Sequence, residues 1–215
     1  MKIRYLGHSC FVLTESTGTT IVTDPYGNIG YEMPSVKADA VTVSHSHYDH
    51  NNVKALLGSP IVLNKEGTHE VDGVEITGIK SFHDDEQGEQ RGDNIIFKFR
   101  MDGLDICHLG DLGEECSSSL LEMILPVNVL LIPVGGNYTI NAEQAKEYVD
   151  RIMPEIVIPM HYKTKGLKLD IDKPDEFLSQ FDDEEVEYLE SGELELFRDD
   201  ITEESTKIIM MEKYQ

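Results

Sequence analysis

Ten residues at positions 41–50, VTVSHSHYDH, constrain this chain more than any others. A short, β-branched apolar run (Ala40, Val41, Val43) stops at Ser44, and His45, His47, Asp49 and His50 follow directly. Such a run suits a buried strand that ends in a loop. Imidazole and carboxylate are ligands that Zn²⁺ accepts, and they also suit Mn²⁺ or Fe²⁺. In an extended loop side chains alternate, so His45 and His47 point the same way and can grip one ion. Asp49 and His50 sit just past them and can reach a second. The chain has 8 histidines in 215 residues, so a chance cluster of this density explains little.

Other strand ends carry further candidates. His83 opens the polar loop HDDEQGEQRGD after an apolar run at 74–82 and can supply a third imidazole to the ion of His45 and His47. Arg91, in the same loop, either binds an anionic substrate group bidentately or pairs with a local carboxylate. Asp111 follows Gly110 in HLGDLG, where glycine lets backbone approach a site closely. His108, three residues earlier, reads as a side chain that hydrogen-bonds a ligand, as a buried structural histidine, or as a substitute for His83. His161 ends another apolar run, IVIPM.

HSHYDH resembles the HxHxDH motif of the metallo-β-lactamase superfamily, a group of mostly dinuclear metal hydrolases. The segments GHS, RGDN, HLGD, PVGG and PMHYKT are similar to a compact branch of it related to L-ascorbate 6-phosphate lactonases. The likeness spans most of 5–165 and thins beyond 165. It implies an α+β fold, a four-layer αββα sandwich of two mixed sheets with strand-end loops gathered at one edge. It implies Asp111 as a bridge between two metals and His161 as the third protein ligand, with Asp49 and His50, of the second. It places His8 beside the metals, holding a ligand or touching substrate. Tyr162, Lys163, Tyr138 and Thr139 are weaker candidates for the substrate cleft. Imidazole at position 47, where related oxygen-reducing di-iron proteins carry Glu, favours Zn²⁺ or Mn²⁺ hydrolysis over redox chemistry.

The chemistry expected of such a set is hydrolysis. Two ions roughly 3.5–4 Å apart hold a bridging water and lower its pKa to about 7; the resulting hydroxide attacks an ester, lactone or phosphodiester. Asp49 orients that hydroxide or moves its proton. A nucleic-acid phosphodiesterase of the same fold and a non-catalytic metal-binding module are the rival readings. The formal charge of −23 repels phosphate backbones, so a small-molecule substrate is expected rather than nucleic acid. No apolar run reaches the ~18 residues needed to span a bilayer. The first residues, MKIRYLGHSC, lack a signal-peptide core, and Cys10, Cys107 and Cys116 form no CxxC, so reduced thiols in a cytoplasmic protein are expected. A homo-oligomer is compatible with all of this.

The length suits one domain over 1–215. Residues 2–24 read as a strand pair with a kink or bulge at Gly7-His8. Further strands are expected at 60–64, 74–82, 94–100, 104–110, 128–133 and 156–159, and Asp102-Gly103 signals a hairpin. Helices are expected in VKALL (53–57), capped by Asn51 or Asn52 and steadying Asp49 through its dipole; after Ser117; after the capping box opened by Asn141; and from Asp172 to Phe181. EVEYL and ELELF around Ser191-Gly192 read as a hairpin, and the tail 199–215 as ending in the strand KIIMM.

Overall fold

The computed structural model describes residues 1–201 and 205–214. Six strands form one sheet: β1 (Lys2–Gly7), β2 (Cys10–Thr14), β3 (Thr20–Thr23), β4 (Ala40–Thr42), β5 (Ile61–Leu63) and, much later in the chain, Glu193–Glu195. Eight form the other: β6 (Gly67–Val71), β7 (Val74–Phe82), β8 (Asp93–Met101), β9 (Leu104–His108), β10 (Val129–Pro133), β11 (Ile156–Met160), β12 (Val186–Leu189) and Lys207–Met211. Glu193–Glu195 is β13 and Lys207–Met211 is β14. Both sheets are mixed: β1–β2–β3 and β6–β7–β8–β9 run antiparallel, while β3–β4–β5 and β9–β10–β11–β14 are parallel.

Alternation along the strands builds the layers. Ile3, Tyr5, Phe11 and Leu13 of one sheet meet Phe97, Phe99, Leu131 and Ile158 of the other between the sheets. The intervening Leu130, Ile132 and Val157 face α1 (Ser118–Ile124), α2 (Ala142–Ile152) and α3 (Asp175–Leu178) on the outside. Ser117 caps α1, and Asn141 with Gln144 closes a capping box on α2, whose Ala145, Tyr148, Val149 and Ile152 are buried. The outer face of the first sheet (Leu6, Val12, Val22, Val41) is covered by loop residues such as Tyr26, Ile29, Leu167 and Ile171.

Several local expectations differ. VKALL forms one 3₁₀ turn, Val53–Ala55, and Asn52 does not cap it, because its amide donates to the Tyr26 carbonyl instead. A single turn has little dipole, so Asp49 is held by other means. The first "strand pair" is three strands, since the chain reverses at Gly7-His8. EVEYL and ELELF do not pair: β12 lies beside β14 and β13 beside β1, in different sheets. The edge strand β6 carries no apolar alternation and was not expected. KIIMM is a strand; 202–204 and 215 of the expected tail lie outside the described residues. Cys10, Cys107 and Cys116 are buried and unpaired, and no helix among the described residues is long and apolar enough to cross a membrane.

Candidate metal centre

Strand ends from both sheets meet at one edge. His8 turns between β1 and β2, Asp24 follows β3, and 44–50 follow β4; His83 follows β7, Asp111 follows β9, and His161 follows β11. Three of these positions need unusual backbone: His8, Asp24 and His161 have φ of 57°, 38° and 51°. Non-glycine residues at positive φ are uncommon and concentrate at functional sites. Gly110 (φ 58°) is required twice over, because a side chain there would meet Asn94 Oδ1 at 2.4 Å and Ser44 Cβ at 2.6 Å.

Asp111 is the centre of the cluster. Its Oδ2 lies 3.2 Å from His50 Nε2, 3.3 Å from His83 Nε2, 3.3 Å from His161 Nε2 and 3.7 Å from His45 Nε2. Asp49 Oδ2 lies 3.3 Å from His8 Nε2 and 3.7 Å from His50 Nε2. His47, the one exposed member, stacks edge-on to His45 with ring centroids 4.6 Å apart. Donor atoms converge in three groups: His45, His47 and His83; His8, Asp49, His50 and His161; and His45, His50 and Asp111.

Hydrogen bonds fix two tautomers. Asp24 accepts from Ser44 N (2.8 Å) and Ser44 Oγ (2.6 Å), and its Oδ2 faces His50 Nδ1 at 2.9 Å. The carboxylate can only accept, so His50 carries its proton on Nδ1. Ser44 Oγ has donated to Asp24, so it accepts from His45 Nδ1 at 2.9 Å. Both rings therefore aim Nε2 lone pairs at the oxygen lone pairs of Asp111. Acceptors facing acceptors at such distances repel unless a cation or a proton lies between them. Nothing else satisfies the group: His45 Nε2 and Asp111 Oδ1 are buried without a hydrogen-bond partner. A divalent cation fits this donor set.

The electrostatics agree for His45 and His8, whereas without a cation the carboxylates around His50 favour its charged form. Burial, then neighbouring His50, lowers His45 to about 3; burial, then His161, lowers His8 to about 4. Both rings are neutral, as ligands must be. Burial works against charge on Asp111 and His50 too, but there the partners win. His161 and His50 hold Asp111 well below the usual carboxylate range, and Asp111 and Asp24 raise His50. His8 and His50 likewise keep Asp49 ionised against its burial.

Of the three readings of His108, the geometry selects the buried structural one. Its Nε2 donates to the Ser9 carbonyl (2.8 Å) and its Nδ1 accepts from Gly110 N (3.1 Å), so both nitrogens are spent. It pins the turns that carry His8 and Asp111, and it is His83 that joins the cluster. Arg91, Tyr138, Tyr48 and Leu169 line a cavity of about 410 Å³ together with His47, Asp49, Asp111 and His161. Tyr162 does not: it is buried beside Tyr5 and lines a separate cavity of about 660 Å³ with Tyr31 and Lys213. Lys163 also turns away, donating through Nζ to the Leu169 carbonyl.

Three supporting residues were not among the expected site residues. Asp24 orients two rings. Asn94 accepts from Asp111 N (3.0 Å) while donating to the Leu109 carbonyl and Ser81 Oγ. Asp84 accepts from the backbone N–H groups of Glu86, Gly88, Gln90 and Arg91, which sets the loop after His83. Only the Asp-Pro at the end of β3, a carboxylate at a strand end like Asp111, hinted at Asp24. Asp24→Asn is expected to lower metal affinity about 10–100-fold with the fold retained, the usual cost of losing a carboxylate behind a ligating histidine. Titration with a competing chelator measures this; unchanged affinity would refute the orienting role.

Comparison with known proteins locates the same architecture. A family model described as a Beta-lactamase superfamily domain matches residues 2–161. A UPF0173 metal-dependent hydrolase of Methanospirillum hungatei is 32% identical over 187 residues, covering 76% of this chain and 84% of the relative. One of Thermococcus onnurineus is 29% identical, covering 90% and 98%. The crystal structure of a proposed Zn-dependent hydrolase of the metallo-beta-lactamase superfamily from Thermotoga maritima superposes with a TM-score of 0.81 at 40% identity, covering 98% of this chain and 97% of that one.

Proposed function

Since the chain belongs to the beta-lactamase superfamily and its relatives are metal-dependent hydrolases, we propose that it is a dinuclear hydrolase of a small anionic ester, lactone or phosphodiester. The observation that carries this is Asp111 Oδ2 among four imidazole Nε2 atoms, with carboxylate Asp49 alongside. His45, His47 and His83 would hold one ion; Asp49, His50 and His161 the other; Asp111 would serve both. The imidazole-rich set suits zinc, with manganese or iron as alternatives. When bound, such ions would activate a water toward hydroxide and polarise the scissile group.

The chain's own residues supply the rest. Asp49, kept ionised and lining the cavity, accepts a hydrogen bond from the attacking water and holds it in line. Tyr48, Tyr138 and Leu169 give the cavity a partly apolar wall. Its volume of about 410 Å³ suits a small molecule. Arg91 is the one Lys or Arg side chain among the residues lining it. One guanidinium N–H donates to the Asn137 carbonyl at 3.0 Å and the group lies over the Tyr138 ring, leaving other donors for a carboxylate or phosphate. In a chain of net charge −23, a lone cation at the cavity is a specific anion contact. The unpaired, buried thiols fit a cytoplasmic setting.

Elemental analysis of protein purified without added metal, followed by a panel of chromogenic esters, lactones and phosphodiesters, tests the assignment. Two ions per chain and turnover of one class support it; a fully loaded protein inert across the panel would leave a metal-binding module. Arg91→Met is expected to raise KM about 10–100-fold for an anionic substrate, the worth of a charge-assisted hydrogen bond of ~1.5–3 kcal/mol. A neutral analogue should be unaffected, and equal losses for both would sink the anion role.

A further inference from the structure

We propose that His8 is a further protein ligand of the cation held by Asp49, His50, His161 and the shared Asp111, an inference that rests on the dinuclear reading above. Its Nε2 lies 3.2 Å from His50 Nε2 and 3.3 Å from Asp49 Oδ2, and its ring centroid is 4.4 Å from that of His161. The four donor atoms all lie within 4.8 Å of one another. Zn–N bonds of about 2.0–2.1 Å give a tetrahedron with edges of about 3.3 Å, so the His8 separations are those of ligands sharing one ion.

A hydrogen bond accounts for this less well. In the neutral ring that a metal ligand requires, the His50 proton is on Nδ1 toward Asp24, so His50 Nε2 is a lone pair, and Asp49 Oδ2 is an acceptor as well. A single N–H on His8 can satisfy one of these two, whereas a cation at their centre meets both and His161 together. His8 also behaves as His83 and His161 do: all three rings turn Nε2 inward and leave Nδ1 buried without a partner. The backbone is built to present it. His8 sits at φ 57° in the sharp turn between β1 and β2, and its carbonyl accepts from His161 N (3.0 Å) and Tyr5 OH (3.1 Å). One ligand's main chain thus braces another's, which is a reason for a strained non-glycine residue to persist there.

With Asp111 shared, His8 gives this ion five protein donors against four at the other, which leaves it the less room for a further ligand. His8 and His50 are fully buried, while His47 is exposed on the cavity side. The ion at His45, His47 and His83, nearer solvent, is the one a substrate atom would reach.

The test is spectroscopic. Wild-type protein loaded with ¹¹³Cd is examined by NMR of ¹⁵N-labelled histidines, with His8 assigned by its absence in His8→Asn; asparagine tolerates positive φ, so this variant keeps the turn. Expected are through-bond coupling between one cadmium and His8 Nε2, the proton on Nδ1, and loss of one of two ions from the variant at micromolar free metal. A His8 ring that carries its proton on Nε2 and shows no coupling, or a variant that binds two ions with wild-type affinity, would overturn the proposal while leaving the dinuclear reading intact. If the wild type itself fails to take up two ions, that reading falls first.

Discussion

Asp111→Ala is expected to lower kcat by at least ~1,000-fold, about 4 kcal/mol of transition-state stabilisation, and to strip the protein of metal. The carboxylate is buried, and one of its oxygens stands 3.2–3.7 Å from four imidazole nitrogens drawn from three separate stretches of chain. No neighbour can replace it. Asn94 holds its backbone N–H and Gly110 places it against Ser44, so a carboxylate elsewhere in the loop cannot move in. Without it, the two sites would lose their shared carboxylate. His161→Ala is expected to act in the same direction by removing a ligand of one ion. Metal content by elemental analysis and turnover on the best substrate of the panel are the measurements. Circular dichroism checks the fold, since the chain has no tryptophan to report it. A full metal complement with normal turnover in the Asp111 variant would remove the basis of the bridging assignment.

Chelation should destabilise the protein steeply, and more so in mild acid. A ligand present at 100 times its Kd stabilises by ~2.7 kcal/mol, so two sites are worth ~5 kcal/mol. At ~2–4 °C per kcal/mol for a chain of this size, Tm should fall by about 10–20 °C when metal is removed. The metal-free protein then acquires a pH dependence. Burial lowers His45 to about 3 and His8 to about 4, against ~6.5 in an unfolded chain. Below pH ~6.5 the unfolded chain takes up protons that the folded one refuses. The stability these groups contribute is therefore present above ~6.5 and lost as pH falls toward 4 and then 3. His50 does not offset this: its folded value is raised by Asp111 and Asp24, so its contribution is constant below ~6.5 and fades only as pH rises. Calorimetry at pH 7 and pH 5, with and without chelator, measures both effects. A Tm indifferent to chelator, or one that rises on acidification of the metal-free protein, would contradict the account.

Much of this was legible from local signals. The Asp102-Gly103 turn and the α2 capping box depend on residues a few positions apart, and they form as their sequences indicate. Donor types at strand ends were equally plain, because HSHYDH and HLGD are contiguous. Where a local signal is weak, other forces decided. VKALL is too short to offset the cost of helix nucleation and takes one turn. Ser191-Gly192 marks a turn truthfully but not a hairpin, because β12 and β13 each satisfy the open edge of a different sheet. Tyr162 and Lys163 adjoin His161 in sequence, yet neither lines the cavity: Tyr162 packs on Tyr5, and Lys163 is held by the Leu169 carbonyl.

From sequence alone it was determined which side chains can bind a cation, that they stand at strand ends, and that two mixed sheets carry them. These follow from residue type and periodicity, properties of neighbours along the chain. Only the tertiary structure decided which donors share a point in space, which nitrogen of His45 and His50 carries the proton, and that Asp24 governs both. The register of β3 against β4, with Thr23 opposite Thr42, sets Asp24 beside Ser44. A hydrogen bond reaches about 3 Å and takes no account of sequence separation, so only the packed sheets can make it.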